Sequence, residues 1–352
     1  MVIDLLDLAA ELVDIPSESH EESALADLFE RRLRDGSNLA VDRVGDSVIA
    51  RSELNNEHRL VIAGHLDTVP ANGNQQARID GDRLYGLGAC DMKGGLAAQL
   101  ATALAVDEPA VDVTFVFYPC EEVAAQYNGL SHLFETHPQL VDGDVALLGE
   151  PTSAAIEAGC QGTLRVKALY AGERAHTARP WKGRNAIHRL GPILQALEQY
   201  EGRRPVVDGC EYREAMQAVY VEAGVAGNVV PDEASLTVNY RYAPDRTPEE
   251  AEEHVAKLLG DCDQLLIDDH SQPAMPALTH PLLHQLITRN NLEVRAKLGW
   301  TDVARFAVNG IPASNFGAGD ASIAHTQGEF VERHEIELVH SALLDLVNEG
   351  VS

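Results

Sequence analysis

Carboxylate and imidazole side chains follow three short apolar stretches, close to where each stretch ends. The stretches are residues 60–64, 113–118 and 145–149, and the groups that follow them are His65, Asp67, Glu121, Glu122 and Glu150. Continuous apolar runs of this kind are typical of strands that are buried on both faces of a parallel sheet. Ligands bind such sheets beyond the carboxyl ends of the strands. We therefore expect these side chains to meet in one crevice.

Two more polar groups belong to the same set. Asp91 lies in a glycine-rich turn, GLGACDMKGG, and His325 follows the segment around residues 311–316. Each motif alone is weak, because an adjacent Glu pair is usually a solvated face and a lone loop histidine is usually a surface residue. Residues i and i+2 of an extended segment face the same way, so Asp67 can orient the imidazole of His65. The prediction of one shared site therefore rests on the occurrence of all these groups together.

The donor types in this set predict two metal ions. With Asp91 as the bridge, His65 and Glu150 complete one ion, and Glu122 and His325 complete the other. Three protein ligands with an open position are typical of catalytic rather than structural zinc sites. The glycine spacing differs from the G-x-G-x-x-G nucleotide fingerprint. The sequence also contains neither a P-loop nor a Ser nucleophile motif.

Three further residues lie beside the predicted ligands. Glu121 is left without a metal, and hydrolysis needs such a carboxylate as general base and later as general acid. Cys90 and Cys120 are alternative thiolate ligands, but the oxygen and nitrogen set is already complete without them. We interpret both as small packing residues.

The elements that position these groups alternate along the chain. Helical patterns over residues 3–14, 21–34, 94–106 and 130–136 separate the apolar stretches, which predicts an α/β domain with a mostly parallel sheet flanked by helices. From residue 162 the pattern changes to the order β-α-β-β-α-β of a ferredoxin-like α+β unit. Beyond residue 273, helical and strand-like patterns resume. We predict a catalytic α/β domain over residues 1–161 and 273–352, with residues 162–272 inserted.

Composition limits the partners of the chain. Its 352 residues carry 55 Asp and Glu against 27 Lys and Arg, a formal charge of −28, which repels nucleic acids and anionic membrane surfaces. The longest apolar run is too short to span a membrane, and no export signal is visible. Five scattered cysteines without a C-x-x-C pair are typical of a reduced compartment. We expect a cytoplasmic protein that binds neither nucleic acid nor membrane.

The motifs also carry a family resemblance. The segments H-x-D-x-V-P (65–70), G-x-G-x-x-D-M-K-G-G (86–95), E-E-V (121–123), G-E-P-T (149–152) and A-H-T (324–326) resemble the signatures of one dizinc metallopeptidase family. That family contains aminoacylases, acetylornithine deacetylase and glutamate carboxypeptidase. The inserted unit resembles the lid and dimerisation domain of this family, so the resemblance spans essentially the whole chain.

The resemblance implies roles for individual residues. It implies two Zn²⁺ per subunit, for which Co²⁺ is a possible substitute, held by His65, Asp91, Glu122, Glu150 and His325. It implies Glu121 as the catalytic base with Asp67 in support, and His176 reaching the partner's active site in a homodimer formed through the lid. Asn228, Arg241 and Thr301 match positions that line the substrate pocket. Within the family, four further stretches resemble one subgroup that acts on a small anionic amino-acid derivative.

Other functions stay open at this point. Another amidohydrolase of the same family, such as an acetylornithine deacetylase, an aminoacylase or a dipeptidase, would have the same metal ligands. The acyl pocket separates them, because an acyl group with a second carboxylate needs a cation, and Arg241 is the candidate. A catalytically silent binding or scaffold protein would keep the fold without bound metal.

Overall fold

The structure, a computed structural model, describes residues 4–351. By backbone contacts the chain divides into two compact units. The α/β unit comprises the chain up to Gly159, Pro276–Arg295 and the chain from Arg305 on, and the inserted unit comprises Cys160–Met275 and Ala296–Ala304. Residues 296–304 therefore group with the inserted unit, whereas the sequence pattern had placed them with the α/β domain.

Ten α-helices and nineteen strands occur within residues 4–351. The helices are α1 (Leu5–Val13), α2 (Ser23–Gly36), α3 (Gly94–Ala105), α4 (Gly129–Thr136), α5 (Pro138–Val141), α6 (Ala186–Glu198), α7 (Pro248–Leu259), α8 (Pro281–Asn290), α9 (Val303–Val308) and α10 (Arg333–Glu349). The strands are β1 (Ala40–Val44), β2 (Ser47–Arg51), β3 (Arg59–His65), β4 (Arg78–Asp80), β5 (Arg83–Tyr85), β6 (Asp112–Tyr118), β7 (Val145–Leu148), β8 (Ile156–Ala158), β9 (Gly162–Ala171), β10 (Ala175–His176), β11 (Val206–Val207), β12 (Cys210–Glu211), β13 (Ala215–Ala223), β14 (Val229–Val230), β15 (Glu233–Tyr242), β16 (Gln264–Ser271), β17 (Val294–Ala296), β18 (Ala313–Asn315) and β19 (Phe330–Glu332).

An eight-stranded sheet forms the centre of the α/β unit, in the order β1-β2-β6-β3-β7-β18-β8-β17. The four strands β6, β3, β7 and β18 run parallel to one another. Toward the two edges, β1, β2 and β8 pair in the antiparallel sense. The predicted α/β class with a parallel sheet is confirmed, and the β1–β2 hairpin at one edge is an addition that the sequence pattern did not reveal.

Burial explains why the central strands have continuous apolar sequences. Strands β3, β6 and β7 are buried along almost their whole length. Helix α3 is buried from Gly94 to Ala103 and packs against α1, α2 and α10. Full burial of a Val, Leu, Ile or Phe side chain is worth about 1.5–3 kcal/mol relative to exposure. This packing fixes the strand ends, from which the polar groups project.

The inserted unit contains a four-stranded antiparallel sheet in the order β13-β15-β9-β16, with α6 and α7 against it. Strand β9 alternates buried and half-buried residues, so one face contributes Leu164, Val166, Ala168 and Tyr170 to the core under these helices. A capping box between Thr247 and Glu250 begins α7. The predicted β-α-β-β-α-β order is confirmed.

No helix within residues 4–351 combines the length and the apolar character that crossing a bilayer requires.

Glycines allow α3 to approach the carboxyl edge of the central sheet. A Cβ atom on Gly95 would overlap the carbonyl oxygen of Gly149, and one on Gly149 would overlap the side chains of Gln99 and Met92. The Gln99 amide also donates to the carbonyl oxygen of Ala63 at 2.9 Å. The first turn of α3 and the ends of β3 and β7 are therefore in direct contact, immediately beside Asp91 and Glu150.

We expect Gly95→Ala to destabilise the protein by about 1–3 kcal/mol, because the added methyl group must displace main-chain atoms. Gly191→Ala is the matched control, since Gly191 also lies inside a helix but a Cβ there would meet nothing within 4 Å. It should change stability little, because Pro192 follows and disfavours a helical residue with a Cβ before it, which offsets the higher helix propensity of alanine. Chemical unfolding of both variants measures the two effects, and equal effects would contradict this packing argument.

Candidate metal centre

His65 ends strand β3, and its imidazole is held at both nitrogens. The Nδ1–H group donates to the main-chain carbonyl of Asp67 at 3.0 Å, while Nε2 lies 3.2 Å from Oδ1 of Asp91. The carboxylate of Asp67 is farther from the ring, at 3.5 Å. Asp67 thus orients His65 mainly through its backbone, whereas the i, i+2 argument expected the side chain to do so. With the proton on Nδ1, the Nε2 lone pair is free to bind a metal ion.

The carboxylate of Asp67 holds the loop that follows the neighbouring strand. It accepts hydrogen bonds from the main-chain N–H groups of Glu121 and Glu122 at 2.9 and 3.0 Å, and from the Ser19 hydroxyl at 2.8 Å. Burial tends to raise the pKa of Asp67, but hydrogen bonding with His65 and these amides outweighs it and lowers that pKa. One ionised carboxylate therefore positions both adjacent glutamates.

Two cysteines beside the predicted ligands are poor candidates for metal binding. Burial raises the pKa of the Cys120 thiol to about 12, and it also raises the pKa of Cys90. Cys120 has a positive φ of 61°, and its N–H donates to Glu22 at 3.0 Å, which shapes the turn before Glu121. Both thiols stay protonated at neutral pH in this setting, in agreement with their interpretation as packing residues.

His325 faces two carboxylates. Its Nε2 atom lies 2.7 Å from Oε1 of Glu122 and 3.4 Å from Oδ2 of Asp91. Hydrogen bonding to Asp91 and Glu122 raises the pKa of His325 to about 10. For buried His65, desolvation lowers the pKa, but Asp67 and Asp91 outweigh this and raise it. The carboxylates around the two histidines thus favour a positive charge among these side chains.

The side chains form two overlapping groups that share Asp91. One group is His65, Asp91 and Glu150, and the other is Asp91, Glu122 and His325. Within each group the candidate ligand atoms lie within 4.8 Å of one another. Each group offers one imidazole nitrogen and two carboxylates, a donor set that suits zinc and related divalent ions. These are the same two groups of three that the sequence predicted, while the ligand roles themselves stay a prediction.

Glu121 lies beside both groups. It belongs to a third set of converging donors, with His65 and Glu122. Its side chain is half-buried at the end of the loop that Asp67 holds. The Glu121 carboxylate therefore lies close to donors of both groups, and its role as the base stays a prediction.

The remaining predicted site residues lie in the inserted unit. His176 is exposed and pairs with Val229 across the short β10–β14 ladder, and the next residue, Thr177, donates to the carbonyl of Asn228 at 3.0 Å. His176 and Asn228 are therefore neighbours. Arg241 is half-buried on β15, where burial lowers its pKa, and Thr301 is buried.

Sequence reasoning missed three residues that support the predicted ligands. Ser19 and Glu22 hold Asp67 and the Cys120 turn, and Glu329 accepts hydrogen bonds from the segment that carries Asp91. Ser19 and Glu22 are far from the ligand motifs along the chain. The only sequence signal was the proximity of Glu329 to the A-H-T motif at 324–326.

The sequence profile of peptidase family M20/M25/M40 matches residues 61–349. A Mycobacterium tuberculosis protein, named provisionally as a succinyl-diaminopimelate desuccinylase, is 49% identical over 330 residues, which cover 93% of each chain. The succinyl-diaminopimelate desuccinylase of Corynebacterium glutamicum is 43% identical over 356 residues, covering 98% of this chain and 96% of that one. The similarity extends over nearly the full length of both relatives.

Solved structures share the fold. Aminopeptidase PepT from Bacillus cereus superposes with a TM-score of 0.81 at 18% identity, covering 98% of each chain. A dinuclear metal-binding peptidase of the M20 family from Bacillus subtilis superposes with a TM-score of 0.71 at 17% identity, covering 97% of this chain and 96% of that one.

The shared position of Asp91 predicts unequal effects of two substitutions. Asp91→Ala should remove both metal ions, because each group loses a donor, whereas Glu150→Ala should weaken only the group that contains it. Metal analysis after dialysis gives the stoichiometry, and Glu121→Gln is the control that should keep both ions. Loss of both ions from Glu150→Ala would contradict the division into two groups.

Proposed function

The chain belongs to peptidase family M20/M25/M40 and is a hydrolase of amide bonds, and we propose that it removes the succinyl group from N-succinyl-LL-2,6-diaminopimelate. The products are succinate and LL-diaminopimelate, an intermediate of lysine biosynthesis. The observation that carries this proposal is the 43–49% identity to proteins with that name over nearly the whole of both chains. The converging donor groups around Asp91 support the hydrolytic chemistry.

An anionic substrate must overcome the negative charge of the protein, and its distal carboxylate needs a cation. Arg241 is our candidate for this contact, because a half-buried guanidinium binds a carboxylate more strongly than an exposed one does. The stretch 174–197 also supports an anionic substrate. It contains five Arg and Lys residues and no Asp or Glu, and it includes His176.

Two zinc ions are the proposed cofactors, and Co²⁺ is the proposed substitute. His65, Asp91 and Glu150 would hold one ion, and Asp91, Glu122 and His325 would hold the other. Held there, divalent ions would supply Lewis-acid chemistry, which polarises an amide carbonyl and makes water a better nucleophile at neutral pH.

Two side chains carry the proton transfers and the developing charge. Glu121 takes a proton from the attacking water and returns it to the leaving nitrogen. His176 accepts the Ala178 N–H at Nδ1, at 3.0 Å, so a neutral imidazole carries its proton on Nε2. The Nε2–H group of His176 donates to the oxyanion of the tetrahedral intermediate. Asn228 and Thr301 line the substrate pocket in this proposal.

We also propose that the protein forms a homodimer through the inserted unit. Its proposed location is the cytoplasm. Strand β13 is an edge strand of that unit and exposes Val219, Tyr220 and Val221. An edge strand with exposed apolar side chains is a template for pairing with a second copy. In the dimer, His176 serves the active site of the partner subunit, and the inserted unit acts as a lid.

Other amidohydrolase activities of the same family are the alternatives, and a catalytically silent scaffold is the more distant one. Turnover of succinyl-diaminopimelate, acetylornithine and several dipeptides by the purified, metal-loaded protein distinguishes them. The proposal expects the succinylated substrate to have the highest kcat/KM. Preference for acetylornithine or a dipeptide would overturn it, and absence of both metal and turnover would favour the scaffold.

Glu121→Gln should keep both metal ions and lose at least about 10²–10⁴-fold in kcat, because the amide cannot accept the proton. Glu122→Gln is the matched control, since it has the same chemistry one residue away and should weaken metal binding. Metal analysis and steady-state kinetics on both variants check the assignment. Metal loss from Glu121→Gln with retention by Glu122→Gln would mean that the two roles are reversed.

Arg241→Ala should lower kcat/KM for the succinylated substrate about 10 to 150-fold more than for an acetylated analogue, since a charge-assisted hydrogen bond is worth roughly 1.5–3 kcal/mol. Arg165→Ala is the control, because Arg165 lies on the neighbouring strand β9 and pairs with Asp269 at 3.2 Å. Arg165→Ala should change kcat/KM for both substrates by the same factor. Equal losses on both substrates for Arg241→Ala would give Arg241 another role.

Mixing inactive Glu121→Gln with inactive His176→Ala tests the shared site. If His176 acts in the partner subunit, each mixed dimer has one intact site and one doubly damaged site. Random exchange of equal amounts makes half of the dimers mixed, so about a quarter of the activity should return. No recovery after verified subunit exchange would place His176 in its own subunit's site.

A further inference from the structure

We propose that Glu329 is a positioning residue for Asp91, the donor that the two candidate metal groups share. Oε1 of Glu329 accepts the main-chain N–H groups of Cys90 and Asp91, at 3.0 and 3.1 Å. The residue is 1% exposed, so water does not compete for these bonds. The inference rests on the metal centre of the proposed function and does not depend on which amide is hydrolysed.

The backbone around Asp91 needs such an acceptor. Within Ala89–Lys93, Asp91 has φ −122° and ψ 90°, and Met92 has φ −131° and ψ 33°, so the helical hydrogen-bond pattern is interrupted. Main-chain N–H groups that are buried without an acceptor are costly. A carboxylate that takes two of them at once fixes the peptide planes on both sides of Cys90, and with them the direction of the Asp91 side chain.

Glu329 also links this segment to the loop of the second histidine. Its own N–H donates to the carbonyl of Thr326 at 3.2 Å, and its carbonyl accepts the N–H of Gly86 at 3.3 Å. Thr326 is adjacent to His325 in the chain. One residue thus connects the turn that bears Asp91 to the loop that bears His325, and these two donors lie 3.4 Å apart.

A buried carboxylate needs compensation, and Lys93 supplies part of it. Lys93 is 2% exposed, it attracts Glu329 electrostatically, and its Nζ donates to the carbonyl of Ile15 at 2.7 Å. The amide hydrogen bonds supply the rest. Glu329 is not in either candidate metal group. The hydrogen bonds by which it holds Cys90 and Asp91 come from main-chain N–H groups, as a positioning role requires.

The test is a titration of the metal-free protein with Zn²⁺ and, by visible absorption, with Co²⁺. Glu329→Ala should weaken binding of both ions about 10 to 100-fold, the range for residues that support metal ligands. Glu329→Gln keeps an acceptor oxygen and should recover most of that loss. Glu335→Ala is the matched control, because Glu335 accepts the Gly319 N–H at 2.8 Å and lies in neither candidate metal group. It should leave affinity for both ions unchanged.

Further variants test the proposal in case Glu329→Ala does not fold. If Glu329→Ala fails to fold, Glu329→Leu and Glu329→Gln are each combined with Lys93→Met, so that no buried charge is left unpaired, and the Leu variant, which lacks the acceptor oxygen, should bind both ions about 10 to 100-fold more weakly than the Gln variant. Wild-type affinity in folded Glu329→Ala overturns the proposal, and so does an equal loss in Glu329→Gln and Glu329→Ala. Asp91→Ala in the same titration separates the causes, since retained binding there would mean that the metal centre itself is misassigned.

Discussion

The site depends on a single carboxylate that ties together the ends of two parallel strands. Strands β3 and β6 pair so that His65 lies opposite Tyr118, which brings both ends to the same level. Asp67 then accepts the N–H groups of Glu121 and Glu122 while its own carbonyl holds the imidazole of His65. Because β3 and β6 are buried on both faces, the residues that Asp67 connects lie on a rigid support. The proposed acid–base and metal chemistry needs that rigidity, since both depend on sub-ångström placement.

Much of the fold was predictable because it follows from burial. The apolar runs of β3, β6 and β7 and the βαββαβ order of the inserted unit appear directly in the hydrophobic pattern. The grouping of donors around Asp91 was predictable as well, because strand ends in a parallel sheet meet at one edge. The two ligand groups and the role of Glu121 were inferred from donor types, whereas the roles of His176, Asn228, Arg241 and Thr301 came from a family resemblance. All of these roles are still predictions.

The features that the sequence did not reveal are those without a repeating pattern. Strand β1 is half-exposed along its length, so its hairpin has no clear apolar alternation. Asp67 works through its main-chain carbonyl, which has no residue-specific signal. Glu329 and Glu22 lie in polar segments without a recognisable motif, and only the fold brings their carboxylates to main-chain N–H groups. Segment 296–304 joins the inserted unit through contacts that local propensity does not describe.

Because of where the insertion lies in the chain, the donors of the two candidate metal groups are completed at different times during synthesis. His65, Asp91 and Glu150 all precede the inserted unit, whereas His325 and its neighbour Glu329 follow it. A ribosome therefore completes the donors of one group before it begins the insertion, and those of the other only after the insertion has been made. During synthesis, the chain passes through a stage at which it has the donors for one ion but not for two.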